Sequence, residues 1–580
     1  MVRLRHPTSA QALCDQGLFR ASSAQQILSG LGKVFAEGLT GVIGAAEVST
    51  LRPEDVSSAG DAAFSGTEPV SQVEVFISHT WGSPRWLKYL GICYFLNMGL
   101  AVKAAVTAWL LAVVGLMVFK VTKMFCGRQY LLLLLTEFPV LVFFLFFFFG
   151  QSLSRGLWAP TFWLDKLCIH QTNQNLKAQQ VAALPVFVAR STRMLVLWDD
   201  TYFERLWCNM EMATFAQYSE SPEKMEFVPL WLAPWLLSAV LLDLLGVEFL
   251  RFMEADEGTE MITQTGIKMG SAMLGDSKEA LLFLEGFLHN FPYFVCYLPM
   301  ALPTMLSFKN KIHGHQLMLR QMASFDVKKA KCSVESDRPL VEEQVAMHFQ
   351  PKLDTDVIVA GGSEPAPEAV ESGALQEEAL DRFNSYVQGP LRSTLLDCIG
   401  DVHDVPFQLC SLCMLPMTTS NATAIIPGAW EGCETLTKLG YPNPWDWRFG
   451  GMPSLVAWCL AQTLVYPVTF PLLLRLLQQV ESAIENAWMR LLLGILCSCF
   501  VYAYTFFVAG IIFGCAMVLS QRSSFFWMAA SLFAFAFLVI QFWLLFGPRR
   551  ARGCGSCRCV EYRGGEDSKP FLSLHCYDGA

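Results

Sequence analysis

The sequence is short of charge. Asp, Glu, Lys and Arg make up 16% of its 580 residues, where soluble domains carry about a quarter. Set beside 53% hydrophobic residues, that shortage argues against a wholly soluble chain and for membrane spans. Positive charge is not in excess either. The net charge is −9, which excludes nucleic acid as the expected main partner, because phosphate binding needs a basic face. A regular cysteine framework is lacking: the 19 cysteines are scattered, several inside apolar runs, as reduced cytosol-facing thiols would be. The opening MVRLRHPTSAQALCDQGLFR contains no apolar core of signal-peptide length, so no secretory leader is expected. His79 and His170 lack a second ligand at metal spacing, and no metal site is expected there.

What the chain has in abundance is apolar runs. A spanning helix needs about 20 mainly apolar residues. Residues 101–119 and 131–150 meet that as a hairpin, with Glu137 inside its second arm. Further candidates are 233–252 (carrying Asp243 and Glu248), 284–306, 455–475, 491–519 and 525–547, with 405–427 as a weak eighth containing the sequon Asn421-Ala422-Thr423. The basic stretch Lys309, Lys311, Arg320, Lys328 and Lys329 places 307–404 in the cytosol by the positive-inside rule.

With the hairpin set aside, 71–99 and 155–232 join into one α/β pattern. VEVFISH (73–79), TFWLDKLCI (161–169, a strand ending near Asp165), RMLVLW (193–198) and EFVPLW (226–231) read as strands. Residues 174–190 read as one helix, and TYFERLWCNMEMATFAQY as another, with Thr201 and Glu204 spaced as a capping box or the helix starting nearer Arg205. Strands alternating with helices predict a parallel, doubly wound sheet, which binds ligands at the carboxyl ends of its strands. Those ends carry Ser78, His79 and Thr80, then Asp165, then Asp199 and Asp200. Glu211 follows on the next helix, four residues after Trp207 and so on the same face.

FISHTWG (76–82), WLDKLCIHQ (163–171) and RLWCNMEM (205–212) occur in that order. The first and last resemble the TIR domain. The middle one resembles the heterokaryon-incompatibility (HET) domain, which has a TIR-like fold. The resemblance implies a flavodoxin-like, TIR-type sheet. It also implies that Glu211, in the Trp-x-x-x-Glu position, is the catalytic residue for cleaving the nicotinamide–ribose bond of NAD. His79, Trp81, Asp165 and Trp207 are then expected to bind the substrate, NAD, with no cofactor required. TIR domains also signal by self-association, so a homo-oligomer is an alternative expectation. This sequence departs from the TIR pattern in lacking its basic BB loop, where the membrane hairpin stands instead. Each residue has a plainer reading as well: tryptophans pack cores, Asp165 caps a turn, and Glu211 sits on an exposed helix face.

The expected whole is an α-helical multi-pass membrane protein with a cytosolic α/β domain. Its parts are a flexible segment (1–70), the first part of the TIR/HET-like domain (71–100), the inserted hairpin (101–150) and the second part of that domain (151–232). Two spans (233–306), a cytosolic region with an acidic linker (307–404), three clear spans and one weak one (405–547), and a Cys-containing tail (548–580) follow. Cys554, Cys557, Cys559, His575 and Cys576 in that tail suit either zinc or lipidation. Membrane-anchored signalling through the α/β domain is the expected function. The alternatives are a transporter or channel with that domain as a regulatory module, supported by Glu137 and Asp243, and a non-enzymatic scaffold.

Overall fold

The computed structural model describes residues 8–36, 53–119, 133–157, 159–219, 221–255, 258–274, 277–332, 334–350, 368–421, 444–521 and 524–547. The cysteine-rich tail, the tip of the hairpin and most of the sequon lie outside them. The chain divides into two units. One takes 1–98, 146–234 and 313–398, the other 99–145, 235–312 and 399–580.

The first unit is built on a sheet of four strands: β1 (Val73–His79), β2 (Phe162–Trp163), β3 (Ser191–Trp198) and β4 (Met225–Pro229). Their order is β2-β1-β3-β4 and every pairing is parallel. Register sets Phe76 against Trp163 and against Met194, and His79 against Leu197. All of β1 but Glu74 is buried, as is β3 from Met194 on. Parallel strands joined by crossovers are covered on both faces, which is why VEVFISH and MLVLW read as near-continuous apolar runs rather than alternating ones. The Phe76 and Trp163 rings stack with centroids 4.5 Å apart. Along the chain, β1 leads into α1 (Arg85–Phe119), β2 into α2 (Gln174–Ala182) and α3 (Leu184–Ala189), and β3 into α4 (Leu206–Tyr218). Later in the same unit, α5 (Arg338–Phe349) packs on α4.

Several expectations need correction. The 174–190 helix is two, because Pro185 brings no N–H for a continuing ladder and sits instead at the start of α3. The strand before Asp165 is only two residues long, and Asp165 opens a single helical turn, Asp165–Cys168. No Thr201–Glu204 capping box forms. The Thr201 hydroxyl donates to Asp199, and Leu206 N and Lys331 N tie residues 204–206 to the Lys331 backbone, holding Arg205 extended. α4 therefore starts at Leu206. The described part of 1–70 is folded, not a free lead-in: Arg20–Ala21 pairs with Glu68–Pro69, Ser22 bonds Phe162, and Phe19, Ile27 and Phe35 are buried. Pro53–Ser65 is a helix, and the acidic stretch is helical from Glu368 to Tyr386.

Among the described residues, six helical stretches are long and apolar enough to cross a membrane: Arg85–Val118, Leu133–Leu153, Lys278–Ala323, Met452–Ala483, Ala487–Gln521 and Phe525–Phe546. This is compatible with an integral, multi-pass membrane protein. The 233–252 segment is also helical (Leu232–Ala255) but is not among the six; it carries Asp243, Glu248 and Arg251. The 284–306 segment belongs to a longer run, Lys278–Ala323, jointed at Pro292 and Pro299. The weak eighth candidate is helical over Phe407–Cys413 and lies partly outside the described residues.

In the second unit Glu137 is half-buried and pairs with Arg251, which also pairs with Glu248. Asp243 is buried at 4% exposure. Its Oδ1 accepts from the Tyr297 hydroxyl at 2.7 Å and its Oδ2 from Met417 N at 2.8 Å.

Candidate functional site

The carboxyl ends of β1 and β3 bring a set of polar side chains together. In an all-parallel sheet the strand carbonyls and the following helix starts converge there, so side chains from separate loops meet without the backbone having to bend. Ser78 and His79 end β1, Asp165 follows β2, and Asp199 follows β3. Glu211 reaches in from α4.

Two hydrogen-bonded groups result. In the first, Ser78 Oγ donates to Glu211 Oε2 at 2.6 Å and lies 2.8 Å from the Tyr202 hydroxyl. With Ser78 donating to the carboxylate, Tyr202 donates to Ser78, and the three form a relay. In the second, Asp165 Oδ1 lies 3.1 Å from His79 Nε2, and its Oδ2 accepts from the Trp81 indole at 2.5 Å. Asp165 Oδ1 also accepts from the Lys166 backbone N–H at 2.7 Å. Ser78 and His79 are consecutive in β1, so the two groups adjoin. Asp199 closes the other flank, accepting from Thr80 Oγ1 at 2.5 Å and from Ser83. Asp200 is exposed.

The environment separates the carboxyls. Burial pushes Glu211 up to about 8, against the Ser78 hydrogen bond, with the Asp165 charge adding to the rise. Burial also works to raise Asp165, but His79, the Trp81 N–H and Lys166 outweigh it and hold the carboxyl below its usual range. Two carboxyls pushed apart by their surroundings are the usual basis for dividing chemical roles. Burial raises the Tyr202 hydroxyl and the Cys208 thiol, so neither is a ready nucleophile.

Of the residues singled out from the sequence, Asp165 bonds both His79 and Trp81, and Glu211 is one residue away through Ser78. Trp207 is half-buried on α4, one turn before Glu211. Trp81 gives its N–H to Asp165, and its ring face lies 4.8 Å from the Lys166 ammonium, a cation–π contact. Sequence reasoning gave no role to Tyr202 or Lys88. Lys88, on α1, is fully buried and donates to the Trp81 carbonyl at 3.3 Å. A lone lysine in an apolar helix carries no motif that would have marked it. No family model, curated protein or solved structure matches this chain.

Proposed function

We infer that this is a membrane-anchored signalling protein whose parallel-sheet unit is TIR/HET-like, faces the cytosol and hydrolyses the nicotinamide–ribose bond of NAD. The strand order 2-1-3-4 is the one with which flavodoxin-like sheets begin. The observation that carries the reading is Glu211: a half-buried carboxyl at the strand ends, bonded to Ser78 and standing beside the His79–Asp165–Trp81 group.

The chemistry follows from that placement. As the C1′–N bond breaks, its electron pair goes to the pyridinium nitrogen. Neutral nicotinamide leaves and the ribosyl carbon becomes an oxocarbenium cation. An ionised Glu211 stabilises that cation and then takes the proton of the water that adds to it. Asp165 orients a ribose hydroxyl or Lys166, and Trp81 and Trp207 offer flat apolar surface to a base. No proton has to be given to the leaving group, so the active form of Glu211 is the carboxylate. The test is nicotinamide release by the purified full chain. Glu211→Gln, which keeps the shape and loses the charge, is expected to lower release by about 100-fold; equal release in both would remove Glu211 from the chemistry. No release from an oligomeric wild-type preparation would leave self-association as the means of signalling.

Transport is a second reading, favoured by Asp243. This buried acid has no ion-pair partner among the described residues, and buried polar groups of that kind mark pathways in membrane proteins.

A further inference from the structure

The strand-end site is covered by the chain's own N-terminal segment. A helix starts at Ala24 under a Ser23/Gln26 capping box but abandons helical geometry at Ser29 (ψ 139). Gly30, Leu31 and Gly32 then take φ of 57, 56 and 71. A leucine at positive φ is strained, and Leu31 is 54% exposed, so burial of its own side chain does not offset the strain. What the excursion achieves is delivery of the next turn, Lys33–Phe35. Gly32 is needed for the approach: a Cβ there would lie 2.8 Å from Tyr89 Cβ on α1.

Phe35 is 1% exposed. Its ring stands edge-on to His79, with centroids 5.5 Å apart at 88°, and lies 5.9 Å from Lys88 Nζ. The next carbonyl, Ala36 O, accepts from Lys166 Nζ at 2.5 Å. Beneath this cover Lys88 and Lys166 are 0% and 1% exposed, for a residue type almost never fully buried.

We propose that the strand-end site is a pocket for a flat aromatic ring bearing a hydrogen-bond acceptor, and that Phe35–Ala36 occupy it as an internal stand-in, in competition with the ligand. The contacts are generic ones: a ring against His79 and Lys88, an oxygen on the Lys166 ammonium. A ligand with a ring and a carbonyl or anionic oxygen makes the same contacts and must displace the segment to do so. Tethering gives the segment an effective concentration of about millimolar, and the strain at Leu31 lowers the cost of its release. The inference rests on reading the strand ends as a ligand site, but not on NAD being the ligand.

Amine acetylation of the full chain, read by peptide mass spectrometry, tests it. In the wild type Lys88 and Lys166 are protected. Phe35→Arg sets a cation beside the Lys88 ammonium and expels the segment, so labelling of both lysines rises by at least about tenfold. Buried Cys93 on α1, at 0% exposure, still refuses maleimide if the unit remains folded. Should Phe35→Arg expose Cys93 too, the milder Phe35→Ala decides, with the same expected direction. Lysines that stay at the wild-type rate in a folded variant overturn the inference. The two readings also fail separately. Lysines that open without nicotinamide release in any variant sink NAD cleavage and keep the cover, while release that proceeds with the lysines still protected in the variants does the reverse.

Discussion

At the scale of single residues, Asp165 shows how a structural reading and a chemical one coincide. It is the first residue of a helical turn whose N-cap is Leu164, and its Oδ1 accepts from the N–H of the next residue, Lys166, at a helix start where negative charge is favoured. The same carboxylate also holds His79 and the Trp81 indole. Its ionised form is favoured in the fold, so it contributes stability that is present above the ordinary carboxylate range and lost as pH falls through its lowered value. Asp165→Ala leaves the buried His79 nitrogen and the Trp81 N–H without this partner. It is expected to cost about 1–3 kcal/mol for each such group and to flatten the acid limb of the unfolding curve, measured by denaturant melts from about pH 2 to 7. An unchanged midpoint and acid limb would show that the carboxylate is dispensable to the fold.

At the scale of elements, α4 and α5 are joined by a half-buried histidine. His348 Nε2 lies 3.2 Å from Thr214 Oγ1, with the Tyr218 ring edge-on to the imidazole. Burial lowers His348 to about 4. The unfolded chain therefore binds a proton that the fold refuses between about 6.5 and 4, and stability falls as pH drops through that window. His348→Phe removes the titration, so the unit's acid sensitivity there should shrink, as thermal melts at about pH 7 and 5 would register. Elements with a strong local signature were legible in the sequence. VEVFISH and RMLVLW announce themselves as strands because a sheet covered on both faces leaves an unbroken apolar run. What was not legible depended on distant partners. Arg205 is extended because Lys331, far along the chain, bonds its neighbours. Pro185 was visible, but an apolar period running through it hid the break. The folded 8–36 segment was missed because its buried residues, among them Leu18, Phe19, Ile27, Leu28 and Phe35, are divided among short pieces (Thr8–Asp15, Arg20–Ala21, Ala24–Gly32 and Lys33–Phe35), none long enough to repeat a period. Within the site, the motif residues were readable one by one, whereas Tyr202, Lys88 and the Phe35 cover follow from tertiary contact alone.

At the scale of the whole molecule, two groups of polar side chains in the second unit are answered within that unit. Arg251 stands with Glu137 and Glu248, and Asp243 joins the Leu232–Ala255 helix to Tyr297 and Met417. Unpaired donors in an apolar interior are costly. Asp243→Leu strands the Met417 N–H and leaves the Tyr297 hydroxyl only the backbone carbonyl of residue 243 at 3.2 Å; it is expected to destabilise this unit by about 1–3 kcal/mol, seen as a lower melting temperature in detergent. A melting temperature equal to or above wild type would mean that Asp243 is kept for function rather than for the fold. In the proposed reaction an ionised Glu211 drives cleavage of NAD. The most direct measurement is the pH profile of nicotinamide release by the wild-type full chain and by Glu211→Gln. Because burial raises Glu211 to about 8, wild-type release should climb by about tenfold per pH unit below that value and level off above it. Glu211→Gln should stay flat and low throughout. A wild-type rate that is independent of pH, or a Glu211→Gln profile that follows it, would remove Glu211 from the proposed chemistry.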